Sequence, residues 1–250
     1  MGLAARIIPT LLVRGEQLVK GRQFNSWRVV GHAMQAARVH AARQCDELIL
    51  LDISATPEGR GPDLALVEKL ASECFMPLTV GGGVRSVEDV RSLLRAGADK
   101  VAIGTAAYEV PDVVFDCGEY FGNQAIVYAL DVMGGNTVMF HCGKHGYSHD
   151  PVYCAQWAER NCAGEILLTS IDREGTMEGY DIDLIRAVSE AVSIPVVAHG
   201  GCSGPDDMIA AIKAGASAVA AGALFQFSDW TPRSCAEHLA RAGIETRIPA

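Results

Sequence analysis

The sequence predicts an α/β protein, a closed (βα)8 TIM barrel built from two half-barrel repeats, and three observations carry that prediction. Short β-branched runs alternate with helical stretches eight times, the pattern of βα units around a parallel sheet. Landmarks recur at one fixed spacing: Pro195 follows Pro77, Gly201 follows Gly83, Gly215 follows Gly97 and Gly222 follows Gly104, each by 118 positions. At 250 residues the chain has the usual size of one such barrel. An open doubly wound sheet is the alternative, and a repeat spanning half the chain disfavours it. The expected organisation is a single domain over 1–250, with half-barrels of about 1–122 and 123–250.

Taken in order, strands are expected near 6–13, 47–53, 77–81, 99–104, 125–132, 165–170, 195–199 and 217–222. Helices are expected near 31–44, 62–74, 86–96, 111–120, 151–161, 181–192, 205–214 and 233–242. Ser86, Asp150 and Ser203 fall at helix starts, where a short side-chain oxygen can accept from an orphan backbone N–H. Gly97 and Gly215 suit the position just past a helix end, where the backbone turns left-handed. Two connections are long, 14–30 after strand one and 133–150 after strand five.

Composition narrows the function classes. A formal charge of −9 argues against nucleic acid as a partner, since that needs a basic footprint. The same charge repels anionic ligands at long range, so any anion must be held by local dipoles. No apolar run approaches the length of a membrane span, and no charged-then-apolar leader opens the chain; a soluble, cytoplasmic protein with no membrane insertion is expected. The eight cysteines (45, 74, 117, 142, 154, 162, 202 and 235) contain no C-x-x-C pair and read as small hydrophobes in a reducing compartment. His141, His145 and His149 are spaced as metal ligands on a helix would be. Gly143 and Gly146 between them argue against a helix there, so no metal and no cofactor is expected. Cys142 beside His141 is a poor nucleophile pair, because adjacent residues on a strand point apart. Trp27, Trp157 and Trp230 read as packing or interface residues.

The glycines are more specific. Gly81-Gly82-Gly83 ends strand three and Gly104-Thr105 ends strand four; Gly200-Gly201 and Gly222-Ala223 repeat the pattern after strands seven and eight. A glycine-rich strand end that leads into a helix presents backbone N–H groups to an anion. The glycines would serve equally to permit tight βα turns, but four such turns in two matched pairs favour phosphate. Strands three–four and seven–eight lie on opposite sides of a barrel mouth. Two grips so placed suit a long ligand with a phosphate at each end. Asp52, Thr169 and Ser170 end strands and are expected either to line the pocket or to complete buried hydrogen bonds.

Several runs appear in the order of a known family: Arg6-Ile7-Ile8, Val19-Lys20-Gly21, Leu51-Asp52-Ile53, Val80-Gly81-Gly82-Gly83, Gly97-Ala98-Asp99-Lys100-Val101, Thr105-Ala106-Ala107, the stretch from Gly164 to Arg173, and Gly175-Thr176. Over roughly 3–228 the chain resembles the cyclase subunit of imidazole glycerol phosphate synthase, the HisF-like family. The resemblance implies a bisphosphate substrate, ammonia supplied by a HisH-like glutaminase, and two aspartates at the ends of strands one and five. One would act as acid and the other as base while the imidazole ring closes. Asp131 matches one aspartate; Leu12 stands at the other position and cannot move a proton. Lys20 and Gly175 match substrate-contacting positions, whereas Gly104, Glu174 and His199 depart from the family pattern. Arg6, Glu47, Lys100 and Glu165, at the starts of strands one, two, four and six, match the family's ammonia gate; a salt-bridged plug is the other reading of that ring.

Glu58-Gly59-Arg60, the run from Ser72 to Leu78, and Ile8-Pro9 with Leu11-Leu12 are similar to a sister branch, the WbuZ/AglZ type. That branch is associated with acetamidino modification of surface-polysaccharide sugars, including lipopolysaccharide. It implies a HisH-like glutaminase partner and a sugar amidotransferase that consumes the ammonia. Leu12 fits this branch better than the histidine pathway. The alternatives are an authentic cyclase of histidine synthesis and a non-catalytic barrel that activates its glutaminase.

Overall fold

A computed structural model describes residues 4–110 and 112–247. The first position of the helix expected near 111–120, and the outermost residues of the 1–250 domain, lie outside the described residues. Twelve strands are described: β1 (Arg6–Arg14), β2 (Gln17–Arg22), β3 (Asn25–His32), β4 (Leu48–Asp52), β5 (Leu78–Gly81), β6 (Lys100–Ile103), β7 (Ile126–Met133), β8 (Thr137–Phe140), β9 (His145–Gly146), β10 (Glu165–Ser170), β11 (Val196–His199) and β12 (Ala218–Ala221). The helices are α1 (Ala33–Ala42), α2 (Leu64–Glu73), α3 (Val87–Arg95), α4 (Ala106–Glu109), α5 (Val113–Phe121), α6 (Pro151–Arg160), α7 (Ile182–Ala191), α8 (Pro205–Lys213), α9 (Ala223–Phe227) and α10 (Pro232–Arg241).

Eight of the strands run parallel in the order β1-β4-β5-β6-β7-β10-β11-β12, and β12 pairs back onto β1. The expected (βα)8 barrel is therefore closed. Strand β1 shows how: Arg6–Pro9 pair with β12, while Thr10–Val13 pair with β4. Such a stagger is what closure of a tilted sheet demands.

The two long connections are not loops. Strands β2 and β3 form a hairpin after β1, and β8 and β9 form another after β7. Strand β3 is mostly exposed, so it lacks the alternation that reveals a strand in sequence. Both barrel strands run on past the barrel to pair antiparallel with their hairpins, through Leu12 with Val19 and Asp131 with Met139. The two positions singled out by sequence thus sit where each strand changes partners.

Helix caps follow the local chemistry. Ser86 and Asp150 accept from the N–H of Asp89 and Tyr153. Ser203 is not a cap: Gly204 holds that place, and Ser203 instead donates its N–H and hydroxyl to Asp207 Oδ2, at 2.7 and 2.6 Å. The third helical residue supplies the acceptor there, so Ser203 is displaced by one position. No helix among the described residues is long and apolar enough to cross a membrane, and the eight cysteines are free thiols, six of them buried.

Period-two alternation stacks the barrel interior in layers. Arg6, Thr79, Lys100, Glu47 and Glu165 bond to one another at the strand starts. Ile8, Ile49, Ala102, Val127, Leu167, Val197, Ala218 and Ala220 form an apolar layer above them. Leu12, Asp131, Thr169 and His199 line the cavity at the strand ends. On β1 the lowest and highest layers are Arg6 and Leu12, six residues or roughly 20 Å apart along the strand.

Candidate functional site

The mouth holds a cavity of about 350 Å3. Its floor is Leu12, Leu51, Ala102, Ala129, Asp131, Leu167, Thr169 and His199, all inward-facing strand residues. One wall is the first glycine grip, Gly81 to Gly83 with Gly104 and Thr105. Gly82 and Gly83 are left-handed, at φ +111° and +75°, and their partners Gly200 and Gly201 at +94° and +104°. A Cβ on Gly83 would meet Arg60 O at 2.7 Å, and one on Gly200 would meet Ser170 O at 2.6 Å. Each turn is thus wedged against the preceding βα loop, and only glycine fits.

The two grips differ in what fills them. At Gly104 a Cβ would meet Ala129 alone, its Cβ at 3.6 Å and its O at 4.0 Å, ordinary contacts. At Gly222 it would collide with Lys20 Nζ. The space at the second grip is about 10 Å3, room for at most one water, and is lined by Glu174, Gly175, His199, Gly200, Gly201, Gly222 and Ala223. Lys20 reaches it because the β2–β3 hairpin lies across the loop after β10. Gln23 donates its N–H to Glu174 O at 2.9 Å and its amide to Asp172 O at 2.9 Å, and Gly175 packs on Gly21 O. A phosphate at this grip requires the Lys20 ammonium to swing out of it.

The charges held there are poorly satisfied. Lys20 is 2% exposed and donates one long bond, 3.4 Å to Thr10 O. Burial lowers its ammonium to about 8, against an opposing pull from Glu174. Glu174 is also 2% exposed, and its Oε2 has no hydrogen-bond partner. Burial raises its carboxyl, with Lys20 opposing. Asp131 is raised to about 7, first by burial and then by the Glu174 charge, against a hydrogen bond from Thr169. His199 is lowered to about 3 by burial and by Lys20, so it stays neutral. Its Nδ1 lies 3.2 Å from Thr169 Oγ1.

The other expected residues divide. Thr169 faces the cavity; Ser170, one residue on, has the opposite parity and does not line it. Asp52 borders the cavity with its oxygens already engaged: Oδ1 accepts from Ser54 N and Oγ and from Ala55 N, and Oδ2 from Arg60 at 2.6 Å. It anchors the loop after β4. At the opposite end the four charges close a ring. Arg6 bonds Glu47 at 2.7 Å and also Glu165, while Lys100 bonds Glu47 at 3.1 Å and Glu165 at 2.7 Å. Burial alone would raise the Glu165 carboxyl, but Arg6 and then Lys100 override it and hold it low.

Sequence reasoning missed the roof. Arg14, Phe24, Trp27, Cys142 and Lys144 border the cavity, all from the two strand extensions and hairpins. Trp27, read from sequence as a packing or interface residue, lies under the Arg14 guanidinium at 5.8 Å. The usable signal was that the two longest connections follow the strands of Leu12 and Asp131 at a barrel's functional face. His141 bonds Glu109 at 2.6 Å, whereas His149 stacks on Tyr153 at 4.1 Å. Those histidines have separate partners.

The chain matches the model of the "Histidine biosynthesis protein" family over residues 6–231. It is 40% identical over 247 residues to a Campylobacter jejuni protein provisionally named imidazole glycerol phosphate synthase subunit hisF2, an alignment covering 98% of this chain and 99% of that one.

Proposed function

This chain belongs to the histidine biosynthesis protein family as a HisF-like barrel, and on that premise we propose that it is the ammonia-receiving subunit of a glutamine-dependent amidotransferase complex of the acetamidino-sugar branch. A HisH-like glutaminase docks under the Arg6–Glu47–Lys100–Glu165 ring. Ammonia passes the ring and reaches Asp131 at the mouth, and a sugar amidotransferase consumes it to modify a polysaccharide. The ligand above is phosphorylated, with two separated phosphates: one on Gly82, Gly83, Gly104 and Thr105, the other on Gly200, Gly201, Gly222 and Ala223. Lys20 supplies countercharge at the second grip beside Gly175. Thr169 stands beside Asp131 between the two.

The observation that carries this reading is Leu12. It is 3% exposed, borders the cavity with Asp131, and pairs with Leu51 and Val19. A ring closure that both delivers and removes protons needs two tuned groups, and loss of one typically costs two to four orders of magnitude. The test is ammonia-dependent turnover of the bisphosphate precursor by the protein alone, beside co-purification with its cognate glutaminase. Little or no turnover is expected, together with stable pairing and a gain of turnover in Leu12→Asp. Native turnover near one per second or above, an ordinary enzymatic rate, would overturn the choice of branch.

A second reading, the authentic cyclase of histidine synthesis, is favoured by one observation: Asp131 remains poised near neutrality, at about 7 through burial and the Glu174 charge. Gene neighbourhood separates the two, as histidine genes would favour the cyclase and sugar-modifying genes the amidotransferase complex.

A further inference from the structure

We propose that His199, acting through Thr169 onto Asp131, is the proton acceptor that takes the part left empty by Leu12, receiving a proton from an ammonium-type N–H in the mouth cavity. This rests on the ammonia-receiving reading above and assigns a group to it.

The relay runs along one row of side chains in one direction. Thr169 stands between Asp131 and His199 in one row across β7, β10 and β11, and all three border the mouth cavity. In the relay the Thr169 hydroxyl donates to Asp131 when that group is ionised, since a carboxylate only accepts. The same oxygen lies 3.2 Å from His199 Nδ1, and with its one proton already committed it can only accept there. His199 Nδ1 therefore carries the ring proton, and Nε2 is left bare. His199 is 5% exposed and borders both the mouth cavity and the second grip, and no group among the described residues bonds its Nε2.

In the transfer, the N–H bond of the ammonium breaks as a proton joins Nε2. The Nδ1 proton passes to Thr169 Oγ1, whose own proton passes to Asp131. Ammonia is left free, Asp131 ends as a carboxylic acid, and His199 ends neutral in its other tautomer. The imidazole never needs to hold a full charge, which resolves how so buried a histidine can serve. The groups facing it are Lys20 from β2, Glu174 from the loop after β10, and Asp131 from β7. Lys20 disfavours an imidazolium, while Asp131, raised to about 7 by burial, favours taking the proton.

The experiment is two-bond 15N correlation spectroscopy of the histidine rings in the whole barrel. His199 is identified by loss of its signals in His199→Gln; should that variant not fold, His40→Gln separates the only two buried rings among the described residues. The expected result is a protonated Nδ1 and a bare Nε2 at pH 8, where Asp131, held at about 7, is ionised. Ammonium chloride should shift Nε2 saturably, and tetramethylammonium chloride, a cation without N–H, should not. Thr169→Ser should keep the tautomer and Thr169→Val should scramble it. A protonated Nε2 in the free protein, or equal responses to the two salts, would overturn the relay. Glutaminase pairing is read separately by co-purification. A barrel that pairs yet shows no ammonium-specific shift loses the relay and keeps the complex, and a barrel that shows the shift but never pairs does the reverse.

Discussion

The charged groups at the two ends of this barrel obey opposite rules. At the strand starts, Arg6, Glu47, Lys100 and Glu165 form a closed ring in which each acid is bonded by both bases. At the strand ends, Lys20, Asp131, Glu174 and His199 are as deeply set but poorly paired, with one long ammonium bond and one orphaned carboxylate oxygen. Satisfied buried charges hold a structure in one arrangement, whereas unsatisfied ones are perturbed and ready to exchange protons. The charges at the bottom of the barrel are fully paired and those at the top are not.

The sharpest way to break that comparison is Glu165→Gln. It leaves Arg6 and Lys100 each short of a partner in a buried ring, so stability should fall by about 3–5 kcal/mol in urea denaturation. Since Glu165 is held low in the folded state, its contribution is full above the ordinary carboxyl range and fades as pH falls below it. A loss under about 1 kcal/mol at pH 7 would mean the ring is hydrated and the contrast false.

Asp131→Asn should act the other way. The folded protein holds this proton at about 7 against an ordinary 3.8, through burial first and the Glu174 charge second. Stability from this group is therefore full below pH 3.8 and lost as pH rises through 7. The variant should gain on the order of 2 kcal/mol at pH 8, allowing for the open cavity, and flatten the stability profile between those limits. An unchanged profile would mean Asp131 is solvated.

Smaller effects refine the picture at the mouth. Gly222→Ala must displace Lys20, while Gly104→Ala meets only Ala129. The first should cost about 1 kcal/mol more than the second in paired thermal melts. Equal costs would show that Lys20 is not seated at the second grip. Smallest of all, Arg22→Ala removes an exposed pair with Glu178 and should change stability by about 0.5 kcal/mol or less.

Much of this was legible in sequence. The alternation of elements and the fixed offset of the glycines required only local patterns, and the four ring charges were visible because each begins a strand on the same parity. The hairpins were not legible: β3 is exposed along most of its length and gives no alternation. Ser170 could not be decided between pocket and buried hydrogen bond, because one residue of register decides whether a side chain meets the cavity or the outer layer. Trp27 could not be assigned without knowing that its hairpin folds back over the mouth.

By itself, the sequence determined the barrel, its doubled glycine turns, the charges at its base and the apolar Leu12 at the end of strand one, because face and turn follow from spacing along one strand. Only the tertiary structure decided that one grip stands open and the other is filled. Lys20, Asp131, Thr169, Glu174 and His199 lie on four different segments, and the β2–β3 hairpin crossing the loop after β10 brings Lys20 to the others. Contacts of that range depend on how the closed sheet places distant segments, which no local pattern records.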